Sequence, residues 1–278
     1  MRIGFLTHVD SSGTAEDAYR DTVELAVAAE ALGFHTFWVA QHHGSARNGF
    51  LPSPLVLLAA LAQHTSSIQL GTAVIAAPLE QPRRLAEDAA VVDALSGGRL
   101  QLGLGTGNDA EAAERFGHDH ADRWVEAVEV LDELCAALDG EGLVPQAPGL
   151  RRRLWWATGS ASGAHLAAAR GMGLITGRLP HIPGSTVLRD LRRYWTRAVD
   201  EPRVGGSRIL PPDAAPKQLA AEWATDPTLG WSTELIVQAG PTRPALADRV
   251  AAMRMFARDL EPALTVALAA RHGELARV

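Results

Sequence analysis

Two adjacent histidines, His42 and His43, follow the hydrophobic segment 36–40. Imidazole titrates near neutral pH, so histidine is well suited to proton transfer. A lone histidine more often serves packing or hydrogen bonding. A pair at the end of a strand is a better candidate, because alternating side chains let one face a site while the other faces away. The pattern predicts an acid or base at the end of this strand.

A second candidate lies in the small-residue turn 159–163, which comes directly after a hydrophobic segment and before a helical one. The free N–H groups and the dipole at a helix N-terminus favour an anion, and Ser160 adds a hydroxyl. The turn could equally be a simple helix cap. Arg123 could reach the same phosphate, or it could be a solvated arginine near Asp119 and Asp122.

Other motifs are weaker. His118 and His120 flank an aspartate, but their spacing is loose and no third ligand accompanies them, so no metal site is predicted. The glycines of segment 103–107 lack the third glycine of a dinucleotide-binding fingerprint, which argues against a Rossmann-type open sheet. The single cysteine, Cys135, lies within a helical pattern and is predicted to be a core residue.

Strands and helices alternate through the first 200 residues. The predicted strands are 2–7, 36–40, 68–74, 99–104, 154–157 and 174–176, and the predicted helices are 15–33, 54–64, 82–95, 122–138, 161–170 and 186–199. Such alternation indicates βαβ units and a parallel sheet. Two more strands, at 207–210 and 264–268, would close an eight-stranded barrel. The active site of such a barrel lies at the carboxyl ends of the strands, where both candidate segments fall.

The last third of the chain has a less regular pattern. It is rich in proline and carries two tryptophans, Trp223 and Trp231, that we expect to be exposed. We predict an extended loop region followed by a final pair of helices.

Composition narrows the class of protein. The chain has 278 residues and a net charge of −6, without the basic face of a nucleic-acid-binding protein. Its longest uninterrupted apolar segment, 55–62, is too short to span a membrane, and the apolar N-terminal segment is too short for a signal peptide. One cysteine fits a reducing cytoplasm. We expect residues 1–278 to form a single α/β domain.

Four segments together resemble the bacterial luciferase-like, flavin-dependent monooxygenases. They are 37–43 (FWVAQHH), 68–74 with the following 78–88, 95–105 (LSGGRLQLGLG) and 156–168. The resemblance covers about residues 1–178 and is specific in combination. It implies a (β/α)8 TIM barrel, here with a shortened and irregular C-terminal third.

The resemblance also implies roles for individual residues. His42 corresponds to a proposed acid or base near the flavin, and Arg123 to a phosphate-binding arginine. Cofactor-binding positions are Ala73 and Val74 (a non-prolyl cis peptide beside the flavin ring), Thr106, Asn108, Gly159, Ser160, Ala161 and Gly163, and substrate-pocket positions are His43 and Arg178. Gln41 replaces the usual acidic residue, Thr106 a frequent arginine and Gly163 a frequent hydroxyl residue.

The function implied by the resemblance is oxygenation of a small organic substrate. Reduced FMN from a separate flavin reductase would react with O₂ to give a C4a-peroxide, in a cytoplasmic homodimer. Two alternatives stay open. One is an F420-dependent oxidoreductase of the same barrel family, for which we expect more basic residues at the barrel mouth. The other is a non-catalytic flavin-binding paralogue or partner subunit. A hydrolase has no carboxylate pair, nucleophile elbow or metal set to support it.

Overall fold

The computed structural model describes residues 1–10, 12–44, 49–176, 186–239 and 245–275, with side chains to residue 269. In these residues nine parallel strands close into a barrel. The strands are β1 (Arg2–Thr7), β2 (Thr36–Val39), β3 (Gln69–Thr72), β4 (Ile75–Ala76), β5 (Leu100–Gly105), β6 (Leu154–Thr158), β7 (Gly173–Thr176), β8 (Val204–Leu210) and β9 (Glu234–Ala239). The predicted TIM-barrel fold is confirmed.

Pairing of the first strand with the last closes the barrel. β1 is hydrogen-bonded to β2 on one side and to β9 on the other. β3 and β4 both pair with β5, so they form one of eight staves. The two short strands are separated at Ala73–Val74, whose peptide bond is cis, as the resemblance implies.

Helices surround the barrel in the alternation that βαβ units require. They are α1 (Ala15–Ala31), α2 (Pro54–His64), α3 (Pro82–Ser96), α4 (Ala110–Arg115), α5 (Arg123–Asp139), α6 (Ala161–Ala169), α7 (Val187–Arg197), α8 (Pro216–Thr225), α9 (Leu246–Met255) and α10 (Glu261–Leu275). A π-helical turn, Phe256–Leu260, joins the last two. Within the described part of the chain, no helix combines the length and apolarity needed to cross a bilayer.

The C-terminal third corrects three predictions. The segment 264–268 lies inside α10, and the eighth stave is instead β9, in a region predicted to be loop. A short apolar run fits a buried strand or a buried helix equally well, so hydrophobicity alone misassigned both segments. Trp223 is buried on α8, with 7% of its surface exposed, because its helix packs against α10.

Two tryptophans fill the barrel interior. Trp38 and Trp155 meet edge to face with their ring centroids 5.5 Å apart. The rings fit because glycines lie against them: a Cβ on Gly71 would lie 2.3 Å from the Trp38 ring, and one on Gly173 would lie 2.3 Å from the Trp155 ring. The indole nitrogen of Trp38 donates to Glu234, the first residue of β9, at 2.8 Å. This packing closes the barrel toward the amino ends of its strands and leaves the space for a site at the carboxyl ends.

One carboxylate ties α1 to the turn before β3. Glu30 accepts hydrogen bonds of 2.6–2.9 Å from the backbone N–H groups of Ser66, Ser67 and Ile68 and from the Ser67 hydroxyl. Burial raises the pKa of Glu30, but these hydrogen bonds outweigh burial and lower it from 4.5 to about 2. A lowered folded-state pKa means that the stabilisation is present above pH 4.5 and is lost as the pH falls toward 2.

We therefore expect Glu30→Gln to lower the free energy of unfolding near neutral pH. The loss should be about 1–2 kcal/mol, since the carboxylate is partly exposed. Urea denaturation at several pH values should show the difference from wild type shrinking as the pH drops below 4.5. A difference that stays constant with pH would show that the charge of Glu30 contributes nothing.

Candidate active site

A cavity of about 980 Å³ opens at the carboxyl ends of the strands. Its size lies at the upper end of the range of small-molecule sites. Its wall comes from the ends of β1 and β2, from the segments on either side of β4, and from α4, α5 and the loops around them. Predicted site residues in this wall are His42, His43, Ala73, Val74, Thr106, Asn108 and Arg123.

A chain of hydrogen bonds joins three strand ends beside this cavity. His42 Nε2 lies 2.9 Å from His8 Nδ1, and His8 Nε2 lies 3.0 Å from Gln238 Oε1. Burial, reinforced by the neighbouring His8, lowers the pKa of His42 to about 4, although Asp10 and Asp109 act in the opposite direction. His42 is therefore neutral at physiological pH and available as a proton acceptor.

His43 also lines the cavity, where its ring meets Phe116 edge to face at 4.8 Å. We expected only one of the two histidines to face the site. β2 ends at Val39, so the alternation of strand side chains does not extend to residues 42 and 43.

His43 Nε2 and His120 Nε2 are buried without a hydrogen-bond partner among the described residues, and both residues line this cavity. Such atoms favour a polar ligand.

Gln41 holds the stave that carries the cis peptide. Its amide oxygen accepts from the backbone N–H of Ala76 at 2.8 Å, and its nitrogen donates to Glu80 Oε1 at 2.9 Å. Burial raises the pKa of Glu80. A neutral amide can donate to this carboxylate and accept from the backbone at once, which an ionised acid at position 41 could not do.

A smaller space of about 300 Å³ continues into the barrel mouth from the cis peptide. It shares His8, Ala73 and Val74 with the larger cavity. Its remaining wall is mostly apolar and is formed by Leu6, Ala157, Ile175, Thr176, Ser207, Ile236 and Gln238. The Ala73–Val74 peptide therefore lies between a large chamber that many polar and charged side chains line and a smaller, largely apolar one.

Arg123 is the first residue of α5 and the one arginine in the described wall of the large cavity. One of its terminal nitrogens donates to the backbone oxygen of His120 at 2.6 Å, and its other N–H groups have no partner within the described ranges. The carboxylates of the wall are Asp109, Glu111, Asp119 and Glu126. Asp109 caps α4, a helix in a segment that we predicted to be loop, by accepting from two of its backbone N–H groups.

The predicted phosphate turn forms the N-terminus of α6. Ser160 is its N-cap and accepts from the backbone N–H of Gly163 at 3.2 Å, while Thr158 Oγ1 accepts from the backbone N–H of Ser160 at 3.1 Å. Both hydroxyls therefore stand at one helix start. Gly159, Ser160, Ala161 and Gly163 do not line the large cavity, and Arg178 lies outside the described residues.

The turn requires glycine at position 163. A Cβ there would lie 2.2 Å from Thr158 Oγ1 and 2.5 Å from Thr158 Cβ. We expect Gly163→Ala to lower the free energy of unfolding by about 1–2 kcal/mol through overpacking. Gly142→Ala is the matched control, since nothing lies within 4 Å of a Cβ at that position. Equal urea midpoints for the two variants would contradict this account.

The structure gives roles to residues to which sequence reasoning assigned none. His8 follows β1 directly, and its position at a strand end was the available signal. Gln238 could not be placed, because β9 was not predicted. Thr158 supplies a hydroxyl beside Gly163, the position where the resemblance leads one to expect a hydroxyl residue. Within the described ranges, no group of three or more His, Cys, Asp and Glu residues could hold a metal ion.

Two curated relatives match at about one-third identity. The 4-hydroxyprotoasukamycin monooxygenase of Streptomyces nodosus subsp. asukaensis is 33% identical over 69% of this chain and 55% of its own length. The oxygenase component of the flavin-dependent trigonelline monooxygenase of Acinetobacter baylyi is 34% identical over 42% of this chain and 33% of its own length. The chain thus spans about half or less of the length of these relatives.

Solved structures show the same fold. Monooxygenase RslO1 from Streptomyces bottropensis superposes with a TM-score of 0.79 at 19% identity, over 94% of this chain and 99% of the other. The oxygenating constituent of 3,6-diketocamphane monooxygenase from Pseudomonas putida, in complex with FMN, gives 0.75 at 15% identity, over 94% and 98%. The F420-dependent tetrahydromethanopterin reductase of Methanopyrus kandleri gives 0.66 at 15% identity, over the same shares.

The family assignment follows from a match along almost the whole chain. The sequence model described as luciferase-like monooxygenase covers residues 1–271, well beyond the 178 residues in which we had found a resemblance. The chain therefore belongs to the luciferase-like monooxygenase family.

Proposed function

We propose that this protein is a monooxygenase that uses reduced FMN and O₂ to oxygenate a small organic substrate. The observation that carries the proposal is the placement of His42 and the Ala73–Val74 peptide in one cavity that Arg123 also lines. The names of the relatives support it, since one is a flavin-dependent oxygenase component and the other a monooxygenase. The named component also supports a separate flavin reductase as the source of reduced FMN.

The chain's own groups fit a bound flavin mononucleotide. Arg123 would hold the phosphate from the wall of the large cavity through a charge-assisted hydrogen bond. The α6 N-terminus, with Ser160 as cap, lies outside that wall and would add backbone hydrogen bonds to the phosphate. Ala73 and Val74 would flank the ring, and Thr106 and Asn108 would line the cofactor site. Bound reduced FMN would supply the electrons that activate O₂. The neutral His42 would accept or return a proton at an imidazole nitrogen, while the apolar barrel mouth excludes water.

Charge favours FMN over F420. The described wall of the large cavity carries one arginine and four carboxylates. That balance suits a single phosphate held at one point better than the longer acidic tail of F420. The F420-dependent reductase superposes with a TM-score of 0.66, but its sequence identity to this chain is only 15%. Its similarity therefore supports the fold and not the cofactor.

We further propose a cytoplasmic homodimer of one domain per chain. Val56 on α2 and Val91 and Leu95 on α3 are 73%, 43% and 49% exposed, and the two helices pack against each other. An apolar surface on these helices is suited to contact with a second copy. Light scattering after size exclusion should give a dimer for the wild type and a monomer for the double variant Val56→Asp/Leu95→Glu. A dimeric double variant would place the contact elsewhere.

An isotope experiment tests the activity. The protein is incubated with NADH, a flavin reductase, FMN, catalase and a panel of small ketones, aldehydes and alkenes under ¹⁸O₂. We expect a product that carries one ¹⁸O atom, and we expect His42→Ala to reduce its formation by about 100-fold. Binding of reduced FMN without any labelled product across the panel would favour the non-catalytic flavoprotein.

A further inference from the structure

Three elements that are far apart in sequence bring His42, His8 and Gln238 together. They lie just beyond the ends of β2 and β1 and near the end of β9. The two imidazoles contact each other through His42 Nε2 and His8 Nδ1 at 2.9 Å, and their rings lie 5.1 Å apart at an angle of 30°. The far nitrogen of His8 lies 3.0 Å from the amide oxygen of Gln238. Both contacts have good hydrogen-bond distances.

The acceptor at Gln238 determines which atom donates and which accepts in each of these hydrogen bonds. The amide oxygen of Gln238 has no proton to donate, so His8 Nε2 must carry one. When His8 carries this single ring proton, its lone pair lies at Nδ1 and accepts from His42 Nε2–H. In a neutral His42 the proton on Nε2 leaves the lone pair on Nδ1. The hydrogen bond to His8 uses Nε2, and His42 itself lines the large cavity, so Nδ1 is the nitrogen of His42 left to accept from a ligand.

The other groups around His42 leave this arrangement intact. Asp10 and Asp109 act on it through charge, as does His43 from the adjacent position. None of these three is hydrogen-bonded to His42 within the described ranges, whereas His8 is. Burial keeps His42 neutral at physiological pH, with a pKa of about 4. The tautomer is therefore set by the hydrogen bond to His8 rather than by an ion pair.

We propose that His8 and Gln238 are positioning residues that hold the His42 proton on Nε2 and present His42 Nδ1 as the base of the active site. The catalytic use of that base rests on the proposed function, but the arrangement itself is a property of the protein without cofactor. Gln238 acts through His8, and His8 acts through His42. The three residues thus form a hydrogen-bonded relay that leaves one nitrogen of His42 without a proton.

Nuclear magnetic resonance of the ¹⁵N-histidine-labelled protein, without flavin, tests the relay. We expect a scalar coupling across the hydrogen bond between His42 Nε2 and His8 Nδ1, with the proton bonded to His42. Gln238→Leu should abolish or strongly weaken that coupling, because His8 loses the acceptor that fixes its own tautomer. Gln238→Glu keeps an acceptor oxygen and should preserve it. Gln218→Leu, an exposed glutamine on α8, is the matched control.

Either of two spectroscopic results would overturn the relay. One is a proton found on His8 Nδ1 instead of His42 Nε2, and the other is a coupling that survives Gln238→Leu unchanged. If Gln238→Leu fails to fold, His8→Leu and His8→Asn replace it, since asparagine offers an acceptor oxygen near the position of Nδ1. We then expect the His42 Nε2–H resonance to exchange rapidly with water in the leucine variant and to stay protected in the asparagine variant.

A second readout separates this inference from the proposed function. In the ¹⁸O₂ assay, Gln238→Leu should lower kcat by about 10-fold and leave the affinity for reduced FMN unchanged. Gln238→Glu should restore kcat. The expected coupling in a protein that never forms labelled product would contradict the oxygenase and support the relay. Labelled product at the wild-type rate from Gln238→Leu would contradict the relay and support the oxygenase.

Discussion

Arg99→Ala is expected to destabilise the protein by about 3–5 kcal/mol, enough to unfold much of it near physiological temperature. Arg99 is 8% exposed and forms no ion pair with a carboxylate in the described part of the chain; carbonyl and hydroxyl oxygens surround it instead. Its five N–H groups donate to the backbone oxygens of Ser96, Ile68, Ala62 and Thr65 and to the Thr65 hydroxyl, at 2.7–3.1 Å. One side chain thus satisfies the end of α2, the start of the β3 stave and the end of α3.

The loss is large because the partners stay buried. Removing the guanidinium leaves several buried carbonyls without a donor, and each unsatisfied group costs about 1–3 kcal/mol. Burial lowers the pKa of Arg99, while the charge of Glu30 acts in the opposite direction. The hydrogen bonds to these oxygens are therefore needed to hold the buried cation. Arg99→Lys should recover only part of the stability, because an ammonium cannot reproduce the planar arrangement of five donors.

Urea denaturation compares the three proteins. Arg84→Ala is the matched control: Arg84 lies on α3 as well, but its side chain is 70% exposed and pairs only with surface acids. We expect that control to lie within about 0.5 kcal/mol of wild type. If Arg99→Ala unfolds at the same urea concentration as Arg84→Ala, the arginine of the 95–105 segment is not structural and must be explained by the site.

Arg123→Ala is expected to weaken binding of reduced FMN by about 30–100-fold, the loss of one charge-assisted contact to a phosphate. The reason is that the described cavity wall offers no other arginine or lysine near the candidate phosphate position. The turn hydroxyls and backbone N–H groups of α6 are neutral and would hold the phosphate less strongly alone.

Two comparisons isolate the phosphate. Riboflavin lacks that group, so its affinity should be equal for wild type and Arg123→Ala in anaerobic fluorescence titrations. Arg115→Ala is the control arginine: it lies on α4 at the same end of the barrel but pairs with Glu111. An equal loss of affinity for FMN and riboflavin would show that Arg123 shapes the cavity instead of binding phosphate.

Strands with buried, continuous apolar runs could be predicted from sequence alone. β1 was assigned with its final bounds, and β6 and β7 within one residue, because both faces of a barrel strand are covered. The eighth stave could not be found in this way. Its six residues, ELIVQA, begin with the buried Glu234, which accepts a hydrogen bond from Trp38, on the other neighbour of β1. An acidic residue inside a buried strand is explained by such tertiary contacts, here with Trp38 and Thr36.

The residues of the candidate site likewise fall into those that sequence alone could locate and those that only the folded structure explains. His42 and Arg123 stand next to predicted element boundaries, and a local pattern located them. The role of Gln41 as a bridge between Ala76 and Glu80 and the pairing of His42 with His8 depend on distances between separate staves. The glycine at 163 is explained only by the close approach of Thr158. Contacts of this kind do not appear in a single sequence.

The central claim is that this barrel binds reduced FMN, and an anaerobic titration with reduced FMN and, in parallel, with reduced F420 tests it most directly. The account predicts saturable one-to-one binding of reduced FMN, much weaker binding of F420, and loss of FMN affinity in Arg123→Ala. Tighter binding of F420, or no binding of reduced FMN by the folded protein, would contradict it.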